Sequence, residues 1–321
     1  MGREVSGRGE TITENGGIPR STGTRISDSH RLYSANGSGS PETIIRSGFI
    51  AGSDPLDIEH ERNSQPFRIP VTEGNQSQTS KKIPQTDAIF TNIQQKDSES
   101  QSTGVKRVSI DCKATVKLGN FSRGGQTRGD YKALDHDLNC LGKHTPFGIV
   151  DEDTAHSHII FGSSFKTSDF IVDSLRDWWR TLPEHEKNHM TALQIKVDNG
   201  PESSGNRTQF LKRIVEFTDH IGKPLQWLYY PPYHSKYNPI ERCWGILELH
   251  WNGAQLTDTP TLIRWAESMT WKGLKPTVLL NQNSYEKGIS LDKKTMKSIE
   301  ARLIRNPSLK NWDILVMPAC W

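Results

Sequence analysis

Leu193-Gln-Ile-Lys-Val-Asp198 decides how this chain folds. Leu193, Ile195 and Val197 alternate with polar residues, the two-residue period of a strand, and the run stops at an aspartate followed by the turn-forming Asn199-Gly200-Pro201. Upstream, Arg107-Val-Ser-Ile-Asp111 repeats the design, with Val108 and Ile110 on one face and Ser109 and Asp111 on the other. Downstream, Phe210, Ile214, Phe217 and Ile221 recur at helical spacing and Gly222 is a natural stop. Leu225 to Tyr230 then reads as another strand, cut off by Pro231-Pro232, and a helix begins near Asn238.

The same logic extends outward. Phe147 to Val150 and His158 to Gly162 are strand candidates with Asp151-Glu152-Asp153 as the turn between them. Thr167-Ser168-Asp169 opens a helix carrying Ile171, Leu175, Trp178, Trp179 and Leu182, because short polar side chains accept hydrogen bonds from the free amides of a first turn. Three strands, helix, strand, helix, strand, helix make an α/β chain, a mixed sheet with helices on its faces. The Gly- and Arg-rich Lys117 to Thr145 reads as an excursion over the surface. Beyond Asn252, a helix entered through Asp258-Thr259-Pro260, a second from Asp292 to Leu303 and an apolar run from Trp312 to Met317 are expected to wrap the core.

Composition divides the chain more coarsely. All nine tryptophans lie between Trp178 and Trp321, whereas the first 60 residues hold ten Gly and nine Ser with no apolar repeat, too little apolar surface to offset chain entropy. The expected organisation is a low-complexity or disordered head over 1–80, a linker over 81–106, a core over 107–255 and a helical extension packed on it over 256–321. The four cysteines form no Cys-x-x-Cys pair, which argues against a zinc finger or a disulfide framework. No run of about 18 apolar residues could span a bilayer, and no secretion signal opens the chain, so an intracellular protein is expected. The net charge of +3 is small, but residues 1–100 carry 11 basic against 13 acidic side chains, so the positive balance belongs to the remainder.

Asp111 and Asp198 each end a predicted strand on the side away from its apolar set, and Glu241 sits in the first turn of the helix after the last strand of the core. A sheet could bring the three together. Carboxylates are the hard oxygen ligands that Mg²⁺ or Mn²⁺ prefers, and two ions about 3.5–4 Å apart can activate an attacking oxygen and stabilise a leaving one in phosphodiester displacement. Each residue has a plainer reading as well: the aspartates as turn or cap residues, Glu241 as a partner of the helix dipole. Ile240, Trp244, Leu247 and Trp251 form the apolar stripe of that helix and put Glu241 beside its buried face.

With these positions in hand, the chain resembles the DDE transposases of insertion sequences, most closely the Rhodopirellula-type family. The resemblance is carried by Ser109-Ile-Asp-Cys-Lys-Ala114, by Phe121-Ser-Arg-Gly-Gly125 with Asp135-His-Asp137 soon after, by Val197-Asp-Asn-Gly-Pro-Glu202, and by Tyr230-Pro-Pro-Tyr-His-Ser-Lys-Tyr-Asn-Pro-Ile-Glu-Arg242. It runs from about Lys82 to the C-terminus, and the 43 positions between Asp198 and Glu241 fit that class. It implies a ribonuclease-H-like core and two Mg²⁺ ions, with Mn²⁺ able to substitute. It implies DNA strand cleavage followed by joining of a 3′-hydroxyl to target DNA. Asp111 and Asp198 would take the two aspartate positions and Glu241 the glutamate, as catalytic and metal-binding residues.

The resemblance also implies element-end and target DNA as partners, a homodimer on that DNA, no small-molecule cofactor and a cytoplasmic, nucleoid-associated location. Lys113, Arg123, Lys236 and Arg242 lie near the triad and are the candidate phosphate contacts. Relatives carry an end-binding helix-turn-helix ahead of the core, and residues 1–80 show no such helices. Two alternatives to a cutting-and-joining enzyme therefore stay open: a nuclease of the same fold, and a truncated or decayed remnant that binds DNA without catalysis.

Overall fold

The apolar alternation at Val108 and Ile110 forms the middle of a sheet. The computed structural model describes residues 82–319, apart from 102–103, 122, 124–127, 130–131 and 134–139. The chain divides into two units, Met1–Thr72 and Glu73–Trp321, and every described residue belongs to the second. The head expected over 1–80 and the Asp135-His-Asp137 run lie outside the described residues.

In chain order the elements are α1 (Thr86–Ser100), β1 (Val105–Cys112), β2 (Val116–Leu118), β3 (Gly142–Asp151), β4 (Ser157–Gly162), α2 (Ser168–Thr181), α3 (Glu184–His189), β5 (Ala192–Asp198), α4 (Thr208–Ile221) and β6 (Leu225–Tyr230). A 3₁₀ turn (Ser235–Tyr237) leads into α5 (Pro239–Trp251), followed by α6 (Thr259–Ser268), β7 (Thr277–Asn281), α7 (Lys293–Glu300), β8 (Leu303–Arg305) and β9 (Asp313–Val316). The expected helix starts form as read. Thr167 accepts from the Phe170 amide and Asp258 from the Thr261 amide, and Gly222 closes α4 in the left-handed conformation at φ 62°.

The central strands run β4-β3-β1-β5-β6. β1 pairs antiparallel with β3 and β3 with β4, while β1, β5 and β6 pair in parallel, the ribonuclease-H-like arrangement of three antiparallel strands extended by parallel ones. Both faces are covered. Val108, Ile110, Leu193, Ile195 and Val197 pack against α2 and α4, whereas Val150, Ile159 and Phe161 pack against α5 and α6.

Three expectations need correction. Residues 81–106 are not only a linker: they contain α1, whose Ile89 and Ile93 are buried against Leu228, Tyr230 and Leu309. Its Asp97 accepts from the buried Lys196 of β5 at 2.7 Å, and Lys196 also meets Glu152 at 2.5 Å. Residues 256–321 are not simply a helical extension. β7 pairs in parallel with β4, and β9 pairs with β6 and with β8, so the C-terminal region widens the same sheet at both edges. Finally, the excursion over Lys117 to Thr145 begins and ends in the sheet, because Val116 and Leu118 are buried in β2, which pairs with the start of β3.

Candidate active site

Chain direction places the chemistry at one end of the sheet. β1 and β5 are parallel with Ile110 opposite Val197, so the residues one step on, Asp111 and Asp198, end neighbouring strands at the same level. Both share the face opposite their strands' apolar residues, as the alternation requires. They line one small cavity, of about 40 Å³, with Phe147, Ile171, Gly200 and Glu202 among its other walls.

Glu241 arrives on α5. Pro239 supplies the fixed backbone favoured at a helix start. The helix is then pinned onto β1 by two bonds, the Asn238 side-chain amide donating to the Ile110 carbonyl at 3.1 Å and the Ile240 amide donating to Ser109 Oγ at 3.2 Å. One turn on, Trp244 donates its indole N–H to Asp111 Oδ2 at 3.1 Å, which fixes that carboxylate. Gly148 stands opposite Asp111 on β3 and makes the close approach of α5 possible: a Cβ there would lie 2.5 Å from the Trp244 ring and 2.6 Å from Ile240.

The three carboxylates feel one another. Burial pushes Asp198 up to about 7, reinforced by the charges of Asp111 and Glu241 and opposed by the Asn238 side chain. Asp111 is raised by burial against the Trp244 hydrogen bond and the Lys166 charge. Glu241 is raised by burial and by Asp111, with Lys113 opposing. Asp198 Oδ1 and Asn238 Oδ1 are buried with no hydrogen-bond partner among the described residues. Clustered carboxylates whose ionisation is resisted, with acceptor oxygens left over, suit a hard divalent cation. Among the described residues, however, no three His, Cys, Asp or Glu side chains already converge tightly enough to hold one ion, and Glu241 is not part of the small cavity's lining.

The predicted cations divide into two pairs. Lys113 and Arg123 both bind Glu248 of α5, at 3.0 and 2.9 Å, and so tether the segment after β1 to that helix. Lys236 and Arg242 are exposed, with the Lys236 ammonium 5.4 Å from the centre of the Tyr237 ring. Sequence reasoning did not find Glu248 as a partner for two cations, because an acidic residue on a helix carries no periodic signal. Nor did it find Lys166, which lines the carboxylate cavity from the loop after β4.

The ribonuclease-H-like sheet thus carries two strand-end aspartates and, on the helix packed against it, a first-turn glutamate. The sequence profile of the Rhodopirellula transposase DDE domain matches residues 70–318, and the chain belongs to that family. Solved structures that match part of the chain include a pre-cleavage Mos1 transpososome (12% identity over 54% of this chain and 51% of that one, TM-score 0.38). A Mos1 mariner paired-end complex with Mn (10%, 56% and 52%, TM-score 0.39) is another. The chain thus spans about half the length of these solved proteins. No curated protein matches it. Among the described residues no helix is long and apolar enough to cross a membrane.

Proposed function

We propose that the chain is a DNA transposase that cuts the ends of an insertion sequence and joins them to target DNA, with Asp111, Asp198 and Glu241 as its catalytic and metal-binding residues. The observation that carries this reading is that Asp111 and Asp198 end the parallel strands β1 and β5 at one level while α5, which bears Glu241 in its first turn, is pinned onto β1 beside them. Asp111, Asp198 and Glu241 would hold divalent metal, two Mg²⁺ ions with Mn²⁺ as a substitute, which stabilises charge on the attacking and leaving oxygens when bound.

In the first step a water oxygen bonds to phosphorus and the bond to the 3′ oxygen breaks, leaving a 3′-hydroxyl. In the second, that hydroxyl attacks a target phosphodiester, forms the new P–O bond and frees a 3′-hydroxyl on the target strand. The protein's part is positional. Trp244 holds Asp111, Asn238 and Ser109 hold the start of α5, and the buried walls of Phe147 and Ile171 limit water around Asp198. Lys236 and Arg242 would contact phosphate directly. Lys113 and Arg123 do so only if Glu248 releases them, since their charges are already matched.

The partners in this reading are element-end and target DNA, bound by a homodimer in a cytoplasmic, nucleoid-associated setting. The test offers the full chain, Mg²⁺, a labelled duplex carrying the element's ends and an unlabelled target plasmid. Label that becomes covalently joined to the plasmid is the expected result. Cut but never joined ends would make the chain a nuclease instead.

A further inference from the structure

A second cavity, of about 500 Å³, opens at the same end of the sheet. Parallel alignment explains its place: β4 and β7 run in the direction of β1, so the loops that follow them emerge beside the carboxylates. Lys166 and Glu202 line both this cavity and the small one that holds Asp111 and Asp198, so the two share a wall.

Its walls are cationic and hydroxylic, with a single aromatic. Lys143 comes from the start of β3, Lys166 from the loop after β4 and Lys287 from the loop after β7. Lys166 is matched by Glu202 at 3.6 Å, and Lys143 makes no ion pair among the described residues. The Thr115 and Thr145 hydroxyls also line it and are hydrogen-bonded to each other at 3.0 Å, so the O–H of whichever one accepts is left to donate to a phosphate. Phe165 is 54% exposed at the rim, and the Lys287 ammonium sits 4.2 Å from the centre of its ring. A cationic track beside an exposed aromatic ring, with one lysine over one face of that ring, is a combination that holds single-stranded nucleic acid, because phosphates need charge and every base has a face to stack. The volume lies in the range of roughly 300–1,000 Å³ typical of sites for one small group.

We propose that this groove seats an unpaired nucleotide of the DNA strand next to the scissile bond, with Phe165 stacked on its base and Lys143 and Lys287 on its phosphates. Phe165 is then a positioning residue: it orients the strand and takes no part in bond making. The proposal rests on the DNA-cutting reading for the identity of the strand, and its test reads binding alone.

The full chain is titrated, in EDTA, with a duplex bearing a three-nucleotide single-stranded tail that carries 2-aminopurine at each position in turn, and with the blunt duplex as control. Wild type should alter the emission of one tail position. Phe165→Ala should abolish that change and weaken tailed-duplex binding roughly tenfold, leaving the blunt duplex unaffected, and Phe165→Trp should restore both. Lys143→Ala with Lys287→Ala should reduce the salt dependence of binding by about 0.7 in log–log slope for each phosphate no longer neutralised. Phe165 is exposed, so its variants should fold, which circular dichroism verifies. Unchanged emission and affinity in Phe165→Ala, or no emission change in wild type, overturns the proposal. A chain that joins DNA yet ignores Phe165 refutes the groove alone. A chain that shows Phe165-dependent stacking but never cuts refutes the catalytic reading and leaves the groove intact.

Discussion

Replacing Asp198 by Asn should make the metal-free protein more stable at alkaline pH. In the unfolded chain Asp198 titrates at its ordinary 3.8, and in the fold at about 7, so over this interval the native state holds a proton that the unfolded state has lost. Stability therefore falls as pH rises from about 4 to about 7: the penalty for ionising Asp198 is absent below that window and fully felt above it. The whole displacement corresponds to ~4 kcal/mol at ~1.36 kcal/mol per tenfold change in proton affinity. Asp198 is only part-buried, and solvent screening should reduce this to about 1–2 kcal/mol. For a domain of this size that is a rise of roughly 2–8 °C in Tm for Asp198→Asn in EDTA at pH 8, with the two proteins converging near pH 4. Saturating Mg²⁺ should stabilise wild type, by about 2.7 kcal/mol at one hundred times Kd, and the Asn variant much less. Differential scanning fluorimetry from pH 4 to 8.5 reads all of this. Wild-type and variant curves that run parallel across the range would refute the account of Asp198 as a crowded carboxylate.

Other substitutions test the scaffold around the site. Trp244→Phe keeps a ring but removes the donor to Asp111, which should cost about 1–3 kcal/mol in denaturant unfolding and move the acidic limb of the cleavage–pH profile upward. Gly148→Ala should push α5 off β3 through Trp244 and Ile240, destabilising by about 1–3 kcal/mol and slowing cleavage on the order of a hundredfold while circular dichroism stays native. Asn238→Ala loses its bond to the Ile110 carbonyl and should lower cleavage far more than the ~1 kcal/mol it takes from stability, measured side by side by nicking and urea melts.

The central strands and the two aspartates were legible because one apolar face per strand leaves a period of two, and both Asp111 and Asp198 end such a run. The position of Glu241 in the first turn of α5 was legible through the stripe of Ile240, Trp244, Leu247 and Trp251, which are all buried. α1 was not. Ile89 and Ile93 are its only fully buried aliphatic residues, and what holds the helix is their packing on Leu228 and Tyr230, more than 130 positions away in the chain, with Asp97 reaching the buried Lys196. β7 and β9 escaped for a related reason. Short apolar runs such as Thr277-Val-Leu-Leu-Asn281 suit either a strand or part of a helix, and only the free edges of β4 and β6 decide the matter. Lys166 and Glu248 lie on a loop and on a helix surface, where a role depends on which chain ends the topology gathers and leaves no local pattern to read.

The central claim is that Asp111, Asp198 and Glu241 work as one unit on a phosphodiester, and single-turnover nicking at the terminal 3′ phosphodiesters of the element's ends measures it most directly. With Mg²⁺ the wild-type chain should nick, and Asp111→Ala, Asp198→Ala and Glu241→Ala should each abolish nicking while circular dichroism and duplex binding persist. Wild-type nicking rates in any folded one of the three would contradict the account.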